Sequence, residues 1–200
     1  MATATISAKY LPLLSAARAG KGEIRSMLQG IFIEPHPTKG AYLVATDGHR
    51  IAVVYDESAT ADFPLLIDPD KNVVRASPSA DLAKFDGKQC VLTNGEEIVL
   101  VGQAPLADGI FPNWKAVIPS GEDKLVPASF NPELMKLLLL APYENRYKCA
   151  TLYTFGNSGA IVRFPLLPQT MLVVMPMRME QRKPRPDWLP PYIKPEKKAA

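Results

Sequence analysis

A β-hairpin pattern that occurs three times in 200 residues constrains the fold more than any other feature of this sequence. In the first copy, residues 41–46 alternate like a strand, Asp47-Gly48 tolerates a positive φ, and residues 49–55 alternate again. This order predicts a hairpin with a type I′ turn. Asn94-Gly95 and residues 156–159 occupy the equivalent place in the second and third copies.

A short helix is predicted before each hairpin. The first, within residues 7–19, is limited at its start by Pro12 and carries a stripe formed by Tyr10, Leu13, Leu14 and Ala17. Residues 78–85 give the second. In the third, Asn131-Pro132-Glu133 combines a capping residue, a proline suited to the first helical position and a carboxylate favoured by the helix dipole.

Three strand-helix-hairpin units of about 50 to 60 residues each predict an α+β protein built from a repeated module. Asp-Gly and Asn-Gly turns can also recur by chance, so an unrepeated α+β fold stays open at this point.

The composition is that of a soluble globular protein. Hydrophobic residues make up 47 % of the chain, but no apolar run reaches the roughly 20 residues that cross a bilayer. The N-terminus lacks the basic start and apolar stretch of a secretory signal, so a cytoplasmic location and no membrane contact are expected.

The formal net charge of +3 is concentrated at one end of the sequence. Residues 180–200 hold six of the 23 basic and three of the 20 acidic residues, which leaves residues 1–179 formally neutral. This distribution does not describe a strongly basic DNA-binding domain. The same tail holds five prolines and one apolar cluster, residues 188–192. We expect it to be extended and disordered when free, or to dock on a partner or on the body.

Metal, cofactor and disulfide chemistry are not expected. His36 and His49 have no metal-ligand spacing around them, and Cys90 and Cys149 lie in strand-like stretches where each is expected to be a small buried hydrophobe. The sequence shows no nucleophile elbow, no phosphate loop and no carboxylate pair, so we expect no enzymatic activity. Catalytic partners that converge only in three dimensions stay open.

Three separated strings resemble the bacterial DNA polymerase III sliding clamp (beta subunit) family in a shortened and divergent form. In the family these strings read TDGHRLA, an F-P-D-Y-like string and VMPMRL. Here they are residues 45–52 (ATDGHRIA), residues 111–119 (FPNWKAVIP) and residues 173–179 (VVMPMRM). Residues 28–32 resemble the strand that leads into the first hairpin.

The resemblance implies the DNA-clamp fold and about one and a half clamp domains. Residues 1–120 resemble the middle domain of the bacterial clamp, and residues 121–179 resemble the end of its C-terminal domain. Residues 180–200 form the tail, and the first domain of the family has no counterpart.

The resemblance also implies a hydrophobic pocket for linear peptides of polymerases and other DNA enzymes. Carried over by motif, its residues are Leu28, Thr46, Gly48, His49, Arg50, Ile51, Pro119, Val173, Met175, Pro176, Met177 and Arg178. Methionine suits varied apolar ligands, and glycine lets a peptide backbone approach closely. Each residue alone also fits an ordinary structural role in a hairpin or a last core strand.

Contacts to double-stranded DNA are implied more weakly, by Lys21 and Arg25, and the alternative is an ordinary solvated loop. Two functions therefore stand side by side. One is a clamp-type processivity factor in DNA replication that forms a homo-oligomer. The other is a ring-less adaptor or decoy that binds clamp-binding linear motifs without encircling DNA.

Overall fold

A computed structural model describes residues 3–107, 109–120, 128–143, 148–156 and 158–179. The predicted disordered tail, residues 180–200, lies outside the described residues. No helix in the described ranges is long and apolar enough to cross a membrane.

The described residues form twelve strands, three α-helices and several 3-10 turns. The strands are β1 Thr3–Ser7, β2 Ile31–Pro35, β3 Ala41–Thr46, β4 Arg50–Asp56, β5 Thr60–Ala61, β6 Leu65–Ile67, β7 Leu82–Asp86, β8 Gln89–Asn94, β9 Glu97–Gln103, β10 Thr151–Tyr153, β11 Ala160–Arg163 and β12 Thr170–Val174. The α-helices are α1 Leu11–Ala17, α2 Lys71–Ala76 and α3 Pro132–Met135. The 3-10 turns are Ala8–Tyr10, Ser26–Gln29, Ser77–Ser79, Trp114–Val117 and Lys136–Leu140.

The order of these elements repeats three times along the chain. A helix is followed by three antiparallel strands in α1-β2-β3-β4, in α2-β7-β8-β9 and in α3-β10-β11-β12. Strand β1 leads the first unit and β6 leads the second, and in the third a single bridge joins Ser129 to Met177. The repeated α+β module predicted from the hairpins is therefore confirmed.

The strands form two antiparallel sheets that cross the boundaries between the units. One has the order β5-β1-β7-β8-β9 and the other the order β10-β11-β12-β4-β3-β2-β6. The first two units exchange their leading strands, because β1 pairs with β7 and β6 pairs with β2. Strand β12 of the third unit pairs with β4 of the first hairpin, with Val173 opposite Ile51.

Helix α1 packs against the main core through the stripe that the sequence predicts. Leu13, Leu14 and Ala17 are fully buried and Tyr10 is nearly so. The α-helix is shorter than predicted because it begins at Leu11 with Pro12 in its first turn, and a 3-10 turn precedes it.

The second predicted helix, residues 78–85, is wrong. Helix α2 lies earlier, where the Asp70 carboxylate accepts hydrogen bonds from the backbone N–H groups of Asn72 and Val73. Residues 82–86 instead form β7, in which Ala83 and Phe85 are buried and alternate with exposed neighbours. Burial with a two-residue period is typical of a half-buried strand, so this segment forms a strand and not a helix.

The tips of the first two hairpins lie one residue later than predicted. The backbone N–H of Asp47 donates to the Arg50 carbonyl at 3.4 Å, which places Gly48 and His49 at the first tip. The Asp47 carboxylate holds this turn by accepting from the N–H groups of His49 and Arg50 at 2.9 and 3.0 Å. In the second hairpin, Asn94 pairs with Glu97 across Gly95 and Glu96.

Two further predictions are confirmed in part. Asn131 caps α3, but the α-helix lasts four residues before it tightens into a 3-10 turn. Cys90 is buried, and burial raises its pKa to about 12, whereas Cys149 is exposed rather than buried.

Candidate functional site

A cavity of about 210 Å³ opens where the first hairpin, the end of β12 and the 3-10 turn at Trp114–Val117 meet. It is lined by Arg25, Leu28, Thr46, Gly48, His49, Arg50, Ile51, Pro112, Asn113, Trp114, Val117, Val173 and Met175. Residues 46–51 and 173–175 are distant in the sequence, and the pairing of β4 with β12 brings them together.

The floor of the cavity is apolar and buried. Leu28, Ile51 and Val173 are buried, and the last two are direct partners in the sheet. Met175 lies at the mouth with 37 % of its surface exposed, and its backbone N–H donates to the His49 carbonyl at 2.9 Å. That bond ties the Met175 backbone to the hairpin tip.

Trp114 forms one wall, and a carboxylate fixes its orientation. Its indole Nε1 donates to Glu34 Oε2 at 2.8 Å, while Lys115 Nζ lies 2.7 Å from Glu34 Oε1. Tyr42 packs against the indole edge-on at 5.4 Å between ring centroids. Burial raises the pKa of Glu34, but the hydrogen bonds from Lys115 and Trp114 together outweigh burial, so the net pKa lies below its ordinary value.

The hairpin tip presents backbone and small side chains to the cavity. Thr46 Oγ1 donates to the Arg50 carbonyl at 2.7 Å and accepts from the Gly48 N–H at 3.0 Å. Gly48 has a φ of +90°, a conformation that residues with a Cβ rarely adopt. His49 is exposed beside it.

Arg50 lines the cavity and also makes contacts outside it. Its guanidinium donates to the Ala16 carbonyl at 2.9 Å, to the Glu133 carbonyl at 3.3 Å and to the Asp47 carboxylate at 3.0 Å. The side chain is only 17 % exposed. Arg50 therefore joins α1 of the first unit to α3 of the third at the cavity.

Arg25 lies at the rim of the cavity, paired with a carboxylate of its own loop. Its Nε lies 2.8 Å from Glu23 Oε1, and the hydrogen bond from Arg25 lowers the pKa of Glu23 to about 2. The Arg25 guanidinium also lies so close to Gly48 that a Cβ there would be 3.3 Å from Nη2. Lys21, the other residue predicted to contact DNA, lines a separate groove beside Arg18.

Eight of the twelve residues predicted for the pocket line this cavity, and four do not. Those outside are Pro119, Pro176, Met177 and Arg178. The Met177 N–H donates to the Ser129 carbonyl at 2.7 Å, so this part of the C-terminal string pairs with the third unit instead. The string at residues 173–179 is thus divided after Met175: Val173 and Met175 line the cavity, and Met177 pairs with Ser129 outside it.

Sequence reasoning missed one wall of the site. Pro112, Asn113, Trp114 and Val117 line the cavity but were not among the predicted residues. They belong to the string at residues 111–119, so the signal was present in the residues that carry the resemblance.

The described lining of the cavity is mainly apolar. Its apolar surface is interrupted by backbone groups, one threonine hydroxyl and the cations at the rim. In the described ranges, no three histidine, cysteine or acidic side chains come together in a way that could hold a metal ion.

No protein-family model matches the sequence, and no curated protein gives a significant match. Solved structures do match. A DnaN sliding clamp (DNA polymerase III subunit beta) from Pseudomonas aeruginosa, bound to griselimycin, aligns with a TM-score of 0.63 and 19 % identity. The alignment covers 88 % of this chain and 65 % of that one. The chain has the sliding-clamp fold.

Other clamps agree with this assignment. The Bartonella birtlesii DnaN sliding clamp gives a TM-score of 0.64 at 17 % identity, and the Bacillus subtilis clamp 0.61 at 15 %. The chain spans less than two thirds of the length of these clamps, 66 % and 64 %. The predicted DNA-clamp fold is confirmed over the part of a clamp that this chain spans, at low sequence identity.

Proposed function

We propose that this chain is a non-enzymatic, sliding-clamp-like accessory of DNA replication. Its cavity takes the clamp-binding linear motifs of a DNA polymerase or of other DNA enzymes. The observation that supports this most is the meeting of two distant strings, at Gly48-His49 and at Val173–Met175, around one apolar cavity.

The physical character of the cavity supports a short peptide as its ligand. Buried Leu28, Ile51 and Val173 offer an apolar floor, and Met175 can adjust to side chains of different shape. A volume of about 210 Å³ admits apolar side chains but not a folded domain. The exposed backbone of Gly48 leaves room for a peptide main chain at the rim.

Titration of a fluorescently labelled clamp-binding peptide of a bacterial DNA polymerase tests this proposal. Met175→Glu places a carboxylate at the apolar mouth, so we expect its Kd to rise at least about tenfold. Met179→Glu is the matched control, because Met179 is 58 % exposed and does not line the cavity. Absence of binding by the unchanged protein, or equal loss in both variants, would refute the proposal.

Ring formation and DNA encirclement form a separate part of the proposal. The predicted division into residues 1–120 and 121–179 stays a prediction, as do the DNA contacts of Lys21 and Arg25. If copies of this chain encircle DNA as a closed ring, native mass spectrometry should show more than one chain. The protein should also be retained on closed circular DNA and be lost when the circle is cut. Peptide binding by a monomer without such retention would favour the ring-less adaptor.

A further inference from the structure

The end of the described chain runs directly past the cavity. Strand β12 ends at Val174, Met175 lines the cavity mouth, and the described residues stop at Met179. The next 21 residues therefore begin close to the site. Any segment among them competes for the cavity at a high effective concentration, of the order of millimolar for a short tether.

The chemistry of this tail matches the cavity at one place. Residues 188–192 (WLPPY) form an apolar cluster within a segment otherwise made of charged residues and prolines. Proline-rich segments with aromatic residues bind grooves lined by aromatic side chains, and Trp114 forms such a wall here. Asp187 comes immediately before the cluster, and the Arg25 guanidinium stands at the cavity rim.

The length of the connection allows this contact. Eight residues, 180–187, separate the last described residue from Trp188. An extended chain covers at most about 3.3–3.6 Å per residue, so these residues reach roughly 26–29 Å. Met179 is only four positions from Met175, so the tether is long enough to turn back to the cavity.

We propose that residues 188–192 of the same chain occupy the cavity when no partner peptide is bound. Trp188 enters the apolar space beside Met175, and Asp187 meets the Arg25 guanidinium at the rim. The tail thus regulates the site assigned under the proposed function by competing with partner peptides. This inference rests on the same cavity, but it can be measured without any partner.

Methionine methyl resonances in the full chain give the direct test. The protein has seven methionines, and selective methyl labelling makes each visible by NMR. We expect Trp188→Ala to shift the Met175 resonance, because the ring current of Trp188 is removed, while Met135 does not move. Lys197→Ala with Lys198→Ala is the matched control, since it changes the tail but keeps the cluster.

An unmoved Met175 resonance in Trp188→Ala, or an equal shift in the lysine control, would overturn the proposal. A shift that fades on dilution would also overturn it, because contact within one chain does not depend on concentration. Trp188→Ala should additionally bind the partner peptide at least about threefold more tightly. If the resonance shifts but no partner peptide binds, the tail contact stands and the proposed function fails.

Discussion

Glu34 binds both the surface cation Lys115 and Trp114, which forms one wall of the cavity. It accepts hydrogen bonds from Trp114 and Lys115, and its pKa lies below the ordinary value. A carboxylate with a lowered pKa contributes stability that is present above its ordinary pKa and lost as the pH falls through the lowered one.

We predict that Glu34→Gln lowers the free energy of unfolding at neutral pH. Glutamine can still accept from the Trp114 indole, but it loses the charge opposite Lys115. The difference from the unchanged protein should shrink as the pH falls below the ordinary pKa of a glutamate. Urea unfolding across this pH range checks the prediction, and a difference that grows with acidity would contradict it.

Arg50 makes contacts that the sequence does not predict. Its acceptors are backbone carbonyls of Ala16 and Glu133, which lie 34 and 83 positions away. Carbonyls leave no signature in a sequence, so only the folded chain reveals them. The cavity residues on both sides of Arg50 were predictable because their amino-acid sequence resembles that of the clamps.

We predict that Arg50→Ala destabilises the protein by about 2 kcal/mol, because hydrogen bonds to a charged donor are lost in a half-buried place. Arg50→Lys should recover part of this loss, since lysine keeps the charge but not the fork of donors. Thermal unfolding of both variants gives the comparison. Equal stability of Arg50→Ala and the unchanged protein would disprove the role as a connection between the units.

At the scale of elements, turn residues were a better guide than residues that resemble a helix start. The Asp-Gly and Asn-Gly sequences placed the first two hairpins to within one residue. Residues 78–85 were mistaken for a helix because Pro78 and Ser79 resemble a helix start. The true start was Asp70, which accepts from two N–H groups of α2 and one of β9.

We predict that Asp70→Ala costs about 1–2 kcal/mol, because the N-cap of α2 is lost. It also removes the acceptor for the Gln103 N–H, which ties the helix to β9. Asp70→Asn keeps an acceptor oxygen and should cost less. Hydrogen bonds, first of all from the Val73 N–H, lower the pKa of Asp70, so the effect of Asp70→Ala should also diminish in acid.

At the scale of the whole molecule, pairing between units could not be predicted from the sequence. Hairpins are local, but the exchange of β1 and β6 and the addition of β12 to β4 join segments far apart in the chain. These long-range pairings position the cavity. Its existence depends on the third unit as much as on the first hairpin.

We therefore predict that Leu172→Ala destabilises all three units together. Leu172 is fully buried in β12 opposite Ala52, and such truncations cost about 2–5 kcal/mol. Circular dichroism and Trp114 fluorescence should report one shared transition at lower denaturant concentration. Separate transitions would show that the third unit folds independently of the sheet it joins.

The emission of Trp114 during peptide titration tests the central claim most directly. The chain has two tryptophans, so Trp188→Phe leaves Trp114 as the sole reporter, and it lies in the cavity wall. Titration with a tryptophan-free clamp-binding peptide should change its emission and shield it from a soluble quencher, with one saturating Kd. Peptide binding that leaves both the emission and the quenching of Trp114 unchanged would contradict the assignment of this cavity as the binding site.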